Sequence, residues 1–388
     1  MNGKARACVA ALGQNEGVPQ SFDPLAARRT PDAPDVDVLL WGTVFLDLIF
    51  AGLPTPPKPG AEVWAEGLAS CPGGIATLAI ATRRLGLRTS LAAAFSDDAY
   101  GDFCWRTLEE EAIDLSHSQQ FPEWHSPVTV SMAFAGDRAM VSHGHPSPVP
   151  SKDLIMSPPR ARAVQVDLAE DDLWASGTGA TWVDTARRDG ALVFADVGWD
   201  RDERWDPVVL ERLEGCDAFM PNAIEAMAYT GTSTPHDALF ALADRVSLAV
   251  VTIGSEGAIG IDTHTGEESR VPSLRVPEVD PTGAGDVFDA AMLVGTLAQW
   301  PLEHRMAFAS LCSALAIQQY GGSLAAPGWG DIADWWIKQC ADTGEDAYHR
   351  SIRRRYGFLD DIVPRVPVTA CRRATATIAR RADVQDLH

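Results

Sequence analysis

Between Asp35 and Gln319 the chain alternates short apolar runs with stretches of helical period, and that order leaves few folds open. DVDVLLWG (Asp35–Gly42) is a buried-strand pattern that ends in Gly. Pro72–Leu85 reads as a helix, with two Gly near its head and apolar residues at 75, 78, 79 and 85. Thr89–Phe95 reads as a short strand, and Asp102–Ala112 as an amphipathic helix. Val128–Phe134 and Ala139–His143 flank AGDR as the arms of a hairpin. Ala163–Leu168, Leu192–Val197, Ala218–Met220 and Leu248–Ile253 are further buried strands, and Val287–Leu297 and Met306–Gln319 are helices. A βαβα order of this kind predicts an α/β fold with a mainly parallel, doubly wound sheet. At 388 residues and 46% hydrophobic content, the chain is long enough for a sizeable core. No internal repeat is visible.

Composition excludes several classes. No apolar run reaches the roughly 18 residues a membrane span needs. The short apolar patch near Ala7–Leu12 is broken by Gln14 and Asn15, which is too early for a signal peptide. A cytoplasmic protein is the expectation. Seven Cys, an odd number without a CxxC pair, favour reduced thiols over a disulfide frame or a zinc site. A net charge of −21 argues against a general nucleic-acid binder. From Asp346 to His388, however, nine Arg stand against five acids, so an Arg-rich tail follows an acidic body. Residues 1–35, rich in Gly, Pro, Ala and charge, read as a mostly disordered extension.

One turn carries the chemistry. In VDPTGAGDVFDAAML (Val279–Leu293), Gly283, Ala284 and Gly285 bare the backbone where a helix begins. Small residues let amides approach a ligand closely. A helix N-terminus adds unpaired N–H groups and a partial positive charge, so the turn is an anion hole suited to phosphate. Asp286 falls in the first helical turn, where its charge is favourable and where an acceptor hydroxyl facing the phosphate can donate its proton. The same residues also describe an ordinary Gly-rich turn capped by an Asp. GxxxxGK[ST] and the HRD…DFG set are both absent.

DPTGAGD resembles the D-T-x-G-A-G-D motif of the PfkB/ribokinase family of carbohydrate and nucleoside kinases. CPGGIATLAIATRRLG (Cys71–Gly86), FSDDAYGDFCWRTLEEEAID (Phe95–Asp114), MPNAIEAMAYTG (Met220–Gly231), VVTIGSEGAIGID (Val250–Asp262) and ALAIQQYGG (Ala314–Gly322) resemble its other motifs, in family order. The resemblance implies a ribokinase-like three-layer α/β/α domain over residues 36–338, followed by the extension 339–388. A small β-sheet lid would come from about 47–71 and 126–143.

It further implies transfer of the γ-phosphoryl group of ATP to a hydroxyl of a sugar or sugar-like acceptor. Asp286 matches the catalytic base, and Gly283, Ala284 and Gly285 match the anion hole. Asn222 and Glu225 match an N-x-x-E element that holds Mg²⁺, through water in keeping with the reluctance of that ion to dehydrate. Thr252, Gly254, Gly257 and Thr282 match nucleotide-binding positions. Asp47 matches the acid that grips acceptor hydroxyls, and Gly73 and Gly74 match backbone that passes close to the sugar. An Asp in the apolar run GTVFLDLIF is costly to bury without a partner, which independently supports a site role for Asp47. Some members bind a monovalent cation beside the loop, where Asp280 is the matching acid. Lid sheets in the family often pair, so a homodimer through the lid is the expected assembly.

The sequence departs from the pattern after the Gly pair. Ile75 and Leu78 occupy positions where many members carry polar residues, and neither can hydrogen-bond a hydroxyl. Pro281 stands in the DPTGAGD motif and donates no N–H. Trp64 and Phe45 are candidates to stack on an acceptor ring, or to pack the lid. Two alternatives therefore stand beside a sugar kinase: a nucleoside kinase, and a non-catalytic sugar or nucleotide sensor on the same fold. His143 and His145 in SHGHPSP are potential metal ligands with no acid or Cys partner in view, and read as a surface loop.

Overall fold

Every strand expected to be buried on both faces divides its side chains between two cores, and this decides the architecture. In β1 (Val36–Trp41), Val38 and Leu40 enter one cluster while Leu39 and Trp41 enter the other. In β12 (Leu248–Thr252), Leu248 and Val250 face the first and Ala249 and Val251 the second. Alternation with period two, apolar on both sides, is what a sheet covered by helices on both faces requires.

The computed structural model describes residues 22–134, 137–169, 173, 181–198, 200, 203–342, 344, 346–363 and 373–374. The remaining strands are β2 (Val44–Ala51), β3 (Gly67–Gly74), β4 (Thr89–Ala92), β5 (Ala94–Ser96), β6 (Gln119–Phe121), β7 (Val128–Phe134), β8 (Asp137–His143), β9 (Ala161–Asp167), β10 (Leu192–Asp196), β11 (Ala218–Phe219), β13 (Ala258–Asp262) and β14 (Glu267–Val271). The main sheet runs β14-β13-β12-β11-β10-β9-β1-β4. Its strands are parallel from β12 to β4, and β13 and β14 close the far edge antiparallel. Helices Ile75–Arg84, Ala284–Leu297, Leu302–Ala316 and Trp329–Ala341 bury residues in the first core. Trp182–Arg188, Ala223–Thr230 and Pro235–Ala243 bury theirs in the second. The result is a three-layer α/β/α body. None of its described helices is long and apolar enough to cross a membrane.

A separate four-stranded sheet, β3-β2-β7-β8, takes in the two segments expected to supply a lid. β2 pairs antiparallel with β3, opposing Asp47 to Cys71, and parallel with β7, opposing Asp47 to Thr129. The β7–β8 hairpin falls where the two arms around AGDR were expected, with Phe134 opposite Asp137 and Val128 opposite His143.

The structure corrects three boundaries. The helix after the Gly pair begins at Ile75, because Pro72, Gly73 and Gly74 complete β3. Gly74 then turns the chain at φ +60, where a β-carbon would sit 2.4 Å from the Thr43 carbonyl oxygen.

Residues 22–35 belong to the folded body, against the expectation of disorder up to residue 35. Leu25 is fully buried, Phe22 meets Trp329 edge-on at 4.5 Å, and Arg29 pairs with the buried Asp37. Residues 1–21 lie outside the described residues.

The segment after residue 338 is likewise part of the domain as far as Val363. Ile352, Tyr356 and Leu359 are buried in the first core, and Trp336 Nε1 donates to Asp360 Oδ1 at 2.8 Å. Of the Arg run 353–355 at the end of helix Ala347–Arg355, Arg354 is exposed while Arg353 and Arg355 are half-buried, with Arg355 donating to the Pro272 carbonyl at 2.9 Å. Charge composition concealed the apolar residues spaced between the Arg. The five described Cys, at 71, 104, 216, 312 and 340, are free thiols, as expected. Cys8 and Cys371 are outside the described residues.

A buried ion pair ties the first core together. Arg84, 2% exposed, pairs with Glu111 at 2.7 Å and donates to the Leu324 and Ala326 carbonyls at 2.9 and 2.6 Å. One guanidinium thus joins helix Ile75–Arg84 to the end of helix Ala99–Glu110 and to the loop before Trp329.

Candidate active site

The C-terminal ends of the parallel strands all open on the same edge of the sheet, where ligands gather in doubly wound folds. β1 leads through Gly42 and Thr43 into β2 and Asp47, β9 ends at Asp167, and β10 ends at Asp196. β11 is followed by Asn222, and β12 ends at Thr252. Helix Ala284–Leu297 begins at this edge as well, and its neighbours show how the turn is built.

Gly283 caps that helix at φ +78 without a side-chain cap. A β-carbon there would press on Thr77 Cγ2 at 2.8 Å, so glycine is needed for both the torsion and the fit. A β-carbon on Gly285 would meet nothing within 4 Å, so this residue faces open space. The Ala284 N–H closes a turn onto the Pro281 carbonyl at 3.2 Å, whereas among the described residues no hydrogen bond engages the amides of Gly283 and Gly285. The Thr282 N–H donates to Asp280 Oδ1 at 3.0 Å. Two glycine amides left open at the positive end of a 14-residue helix are an arrangement that can hold an anion.

Asp286 is half-buried beside this turn. Desolvation, helped by the neighbouring Glu225 carboxylate, pushes it up to about 7, against the pull of its own amide and of Arg138. Asp47 approaches from the four-stranded sheet. It is 7% exposed and also pushed up to about 7, by burial first and then by the charges of Asp286 and Asp280, with Arg138 opposing. Gly73 makes room for it: a β-carbon at Gly73 would lie 2.0 Å from Asp47 Oδ2. The sequence therefore places glycine where the adjacent strand must accept a carboxylate against its backbone.

Asn222 and Glu225 come together as a capping box. The Glu225 N–H donates to Asn222 Oδ1 and the Asn222 N–H to Glu225 Oε2, both at 3.0 Å. A bridge between Asn222 and Thr252 sets this box beside the end of β12. The turn after β12 uses Gly254 at φ +50, in open space, and Gly257 at φ +101, where a β-carbon would strike the Val271 carbonyl at 2.0 Å. Gly257 thus has a packing reason to be glycine, while Gly254 lines an accessible surface.

The two departures resolve differently. Leu78 is 3% exposed and lies in the first core, so it is packing beneath the site. Ile75 is half-buried and packs against Gly42. Trp64 is 79% exposed, while Phe45 sits half-buried against Gly74.

Sequence reasoning missed three groups. Arg138 lies on β8 past the hairpin turn, with Nη1 3.5 Å from Thr282 Oγ1, and is the cation that faces both Asp47 and Asp286. Asp196 and Asp289 form a second carboxylate pair below Asp286, each held well above the ordinary range by burial and by neighbouring acids. With Gln165 they line a cavity of about 10 Å³, room for one water, and the buried Gln165 Oε1 has no hydrogen-bond partner among the described residues. Asp196, in the run LVFADV, carries the signal that singles out Asp47, an acid within an apolar run. Asp289 follows Asp286 by three residues, on the same helical face.

The profile of the pfkB family carbohydrate kinases matches residues 65–328. A fructokinase of Escherichia coli is 29% identical over 300 residues, covering 69% of this chain and 96% of that enzyme. A ribokinase of Lactococcus lactis is 24% identical over 289 residues, covering 74% and 92%. The structure of Arabidopsis thaliana ribokinase complexed with ribose and ATP superposes with a TM-score of 0.64 at 20% identity, covering 80% of this chain and all of that one. The aminoimidazole riboside kinase of Salmonella enterica gives 0.62 at 22% identity, over 78% and 99%. The expected fold and family thus hold, and the chain belongs to the pfkB family of carbohydrate kinases.

Proposed function

We propose that the protein transfers the γ-phosphoryl group of ATP to a hydroxyl of a sugar or sugar-like acceptor, with Asp286 as the general base. The observation that carries this reading is the pairing of Asp286, pushed up to about 7, with the uncapped Gly283–Gly285 turn at the same helix end. A carboxylate poised near neutrality takes a hydroxyl proton far more readily than one near 4. The open amides stand where charge spreads over the phosphoryl oxygens during transfer. Asp47 and the backbone of Gly73 and Gly74 hold the acceptor, and Arg138 closes over it from the lid. With Ile75 and Leu78 packed against protein, the acceptor receives no polar contact from those two positions.

The residues fit the cofactors the family implies. Glu225 raises the proton affinity of Asp286, Asp289 and Asp196, and Asp286 raises that of Asp289 and Asp196, so carboxyls crowd this strand edge in a way that a bound cation would relieve. That crowding suits Mg²⁺, which Asn222 and Glu225 would hold through water; the ion supplies charge neutralisation for the phosphate chain. Thr252, Gly254, Gly257 and Thr282 would line the nucleotide. Asp280 is 2% exposed and its Oδ2 has no hydrogen-bond partner among the described residues, which supports a monovalent cation beside the loop. Met140 and Val141, both exposed on the outer lid strand, support pairing of lids into a homodimer.

An ADP-release screen over ketoses, aldoses, polyols and nucleosides, with ATP and Mg²⁺, tests the reading. Turnover with a free ketose or aldose is expected. Turnover with nucleosides alone would replace the acceptor class, and calorimetric binding without ADP release from any acceptor would leave a sensor.

A further inference from the structure

The lid carries a second constellation, away from the phosphoryl-transfer residues. His143 ends β8, His145 follows it, and His125 lies just before β7. One ring nitrogen from each lies within 4.8 Å of the others. The ring centroids are 4.8 to 5.4 Å apart. His125 is half-buried, and His143 and His145 are exposed.

The surrounding chain fixes this arrangement. Val128 pairs with His143 across the hairpin. On the other side, Trp124 Nε1 donates to the Pro146 carbonyl at 3.1 Å. These two links bracket the three imidazoles. Gly144, between two of them, packs so closely on Pro127 that a β-carbon would lie 2.6 Å from Pro127 Cβ. Only glycine lets the loop draw His143 and His145 over His125. Ser126, next to His125, is anchored in turn by the Ser96 N–H, which donates to Ser126 Oγ at 3.0 Å.

We propose that His125, His143 and His145 form a binding site for a Zn²⁺-class transition-metal ion that clamps the base of the lid hairpin. Three imidazoles and one water complete a tetrahedral shell. Nitrogen donors select zinc, nickel, copper or cobalt over magnesium and calcium, which take oxygen. At Zn–N distances near 2.0–2.1 Å, tetrahedral ligand atoms stand about 3.3 Å apart. The present spacing, within 4.8 Å, has to close by up to about 1.5 Å, and the exposure of His143 and His145 leaves their rings room to turn. Arg138 occupies the opposite end of β8, so the clamp fixes the strand that brings this cation over Asp286.

The test uses the full chain without an affinity tag, stripped with EDTA, and titrated with Zn²⁺ by calorimetry and with Co²⁺ by visible absorbance. The expected result is one Zn²⁺ per chain with a dissociation constant of about 1 μM or lower, and the intense visible bands of four-coordinate Co²⁺. His143→Ala and His145→Ala each weaken binding by about tenfold or more, the double variant removes it, and His264→Ala, remote from the cluster, leaves it unchanged. Circular dichroism confirms that each variant is folded. No saturable binding below about 100 μM would overturn the proposal, as would Zn²⁺ binding that survives in a folded double variant.

Discussion

Asp286→Asn separates a catalytic carboxylate from a structural one, because the two roles move different observables in opposite directions. The site holds Asp286 near 7 rather than its ordinary 3.8. Well below pH 3.8 both folded and unfolded chains are protonated at this position and the native Asp costs nothing. As pH rises to 7 the unfolded chain ionises first, and stability falls until the folded carboxyl also ionises. About three units at 1.36 kcal/mol each give about 4 kcal/mol of lost stability above pH 7, and about 2 kcal/mol at pH 5. Asn is isosteric and uncharged, so it escapes this loss. With about 2.1 cal/mol/K per residue over 388 residues, the unfolding entropy is about 0.8 kcal/mol/K. The variant's ligand-free Tm therefore exceeds wild type by roughly 2 °C at pH 5 and roughly 5 °C at pH 8. Its kcat falls by about 10²–10⁴ when the general base is removed. Scanning calorimetry at both pH values and steady-state ADP release provide the two readouts. A kcat within about threefold of wild type, or a Tm difference that does not widen with pH, would refute the reasoning.

Three further outcomes follow from the same geometry. kcat/KM should fall below pH 7 more steeply than tenfold per pH unit, because Asp47 and Asp286 both take up protons there; kcat at saturating Mg²⁺ and ATP should hold to lower pH, since a cation favours the ionised form. Gly73→Ala puts a β-carbon 2.0 Å from Asp47 Oδ2 and displaces that carboxylate, so acceptor KM should rise at least about tenfold with ATP KM little changed, as initial-rate kinetics would report. Arg84→Met removes the guanidinium that pairs with the buried Glu111 and donates to two carbonyls, so urea denaturation should show a loss of about 3–5 kcal/mol.

What the sequence disclosed and what it withheld have physical causes. The alternation of DVDVLLWG, LVFAD and LAVVT is a direct imprint of burial on both faces, so the sheet was legible from pattern alone. The Gly-Ala-Gly-Asp turn was legible because backbone exposure at a helix head needs small residues. Gly73 was named, but its partnership with Asp47 depends on strand register, which no local pattern encodes. Arg138 escaped notice because its role arises from a hairpin folding over a distant helix end. His125 was missed for a related reason: it joins His143 and His145 only when the two arms of the lid hairpin pair. The tail through Val363 was misjudged because its Arg residues dominate composition, while Ile352, Tyr356 and Leu359 do the packing.

A structure with ADP, Mg²⁺, aluminium fluoride and the best acceptor from the screen tests the central claim most directly. The planar fluoride should accept from the Gly283 and Gly285 amides at about 2.7–3.1 Å, with the acceptor hydroxyl at a similar distance from the Asp286 carboxylate. A fluoride bound away from that turn, or an acceptor hydroxyl turned toward another carboxylate, would contradict it.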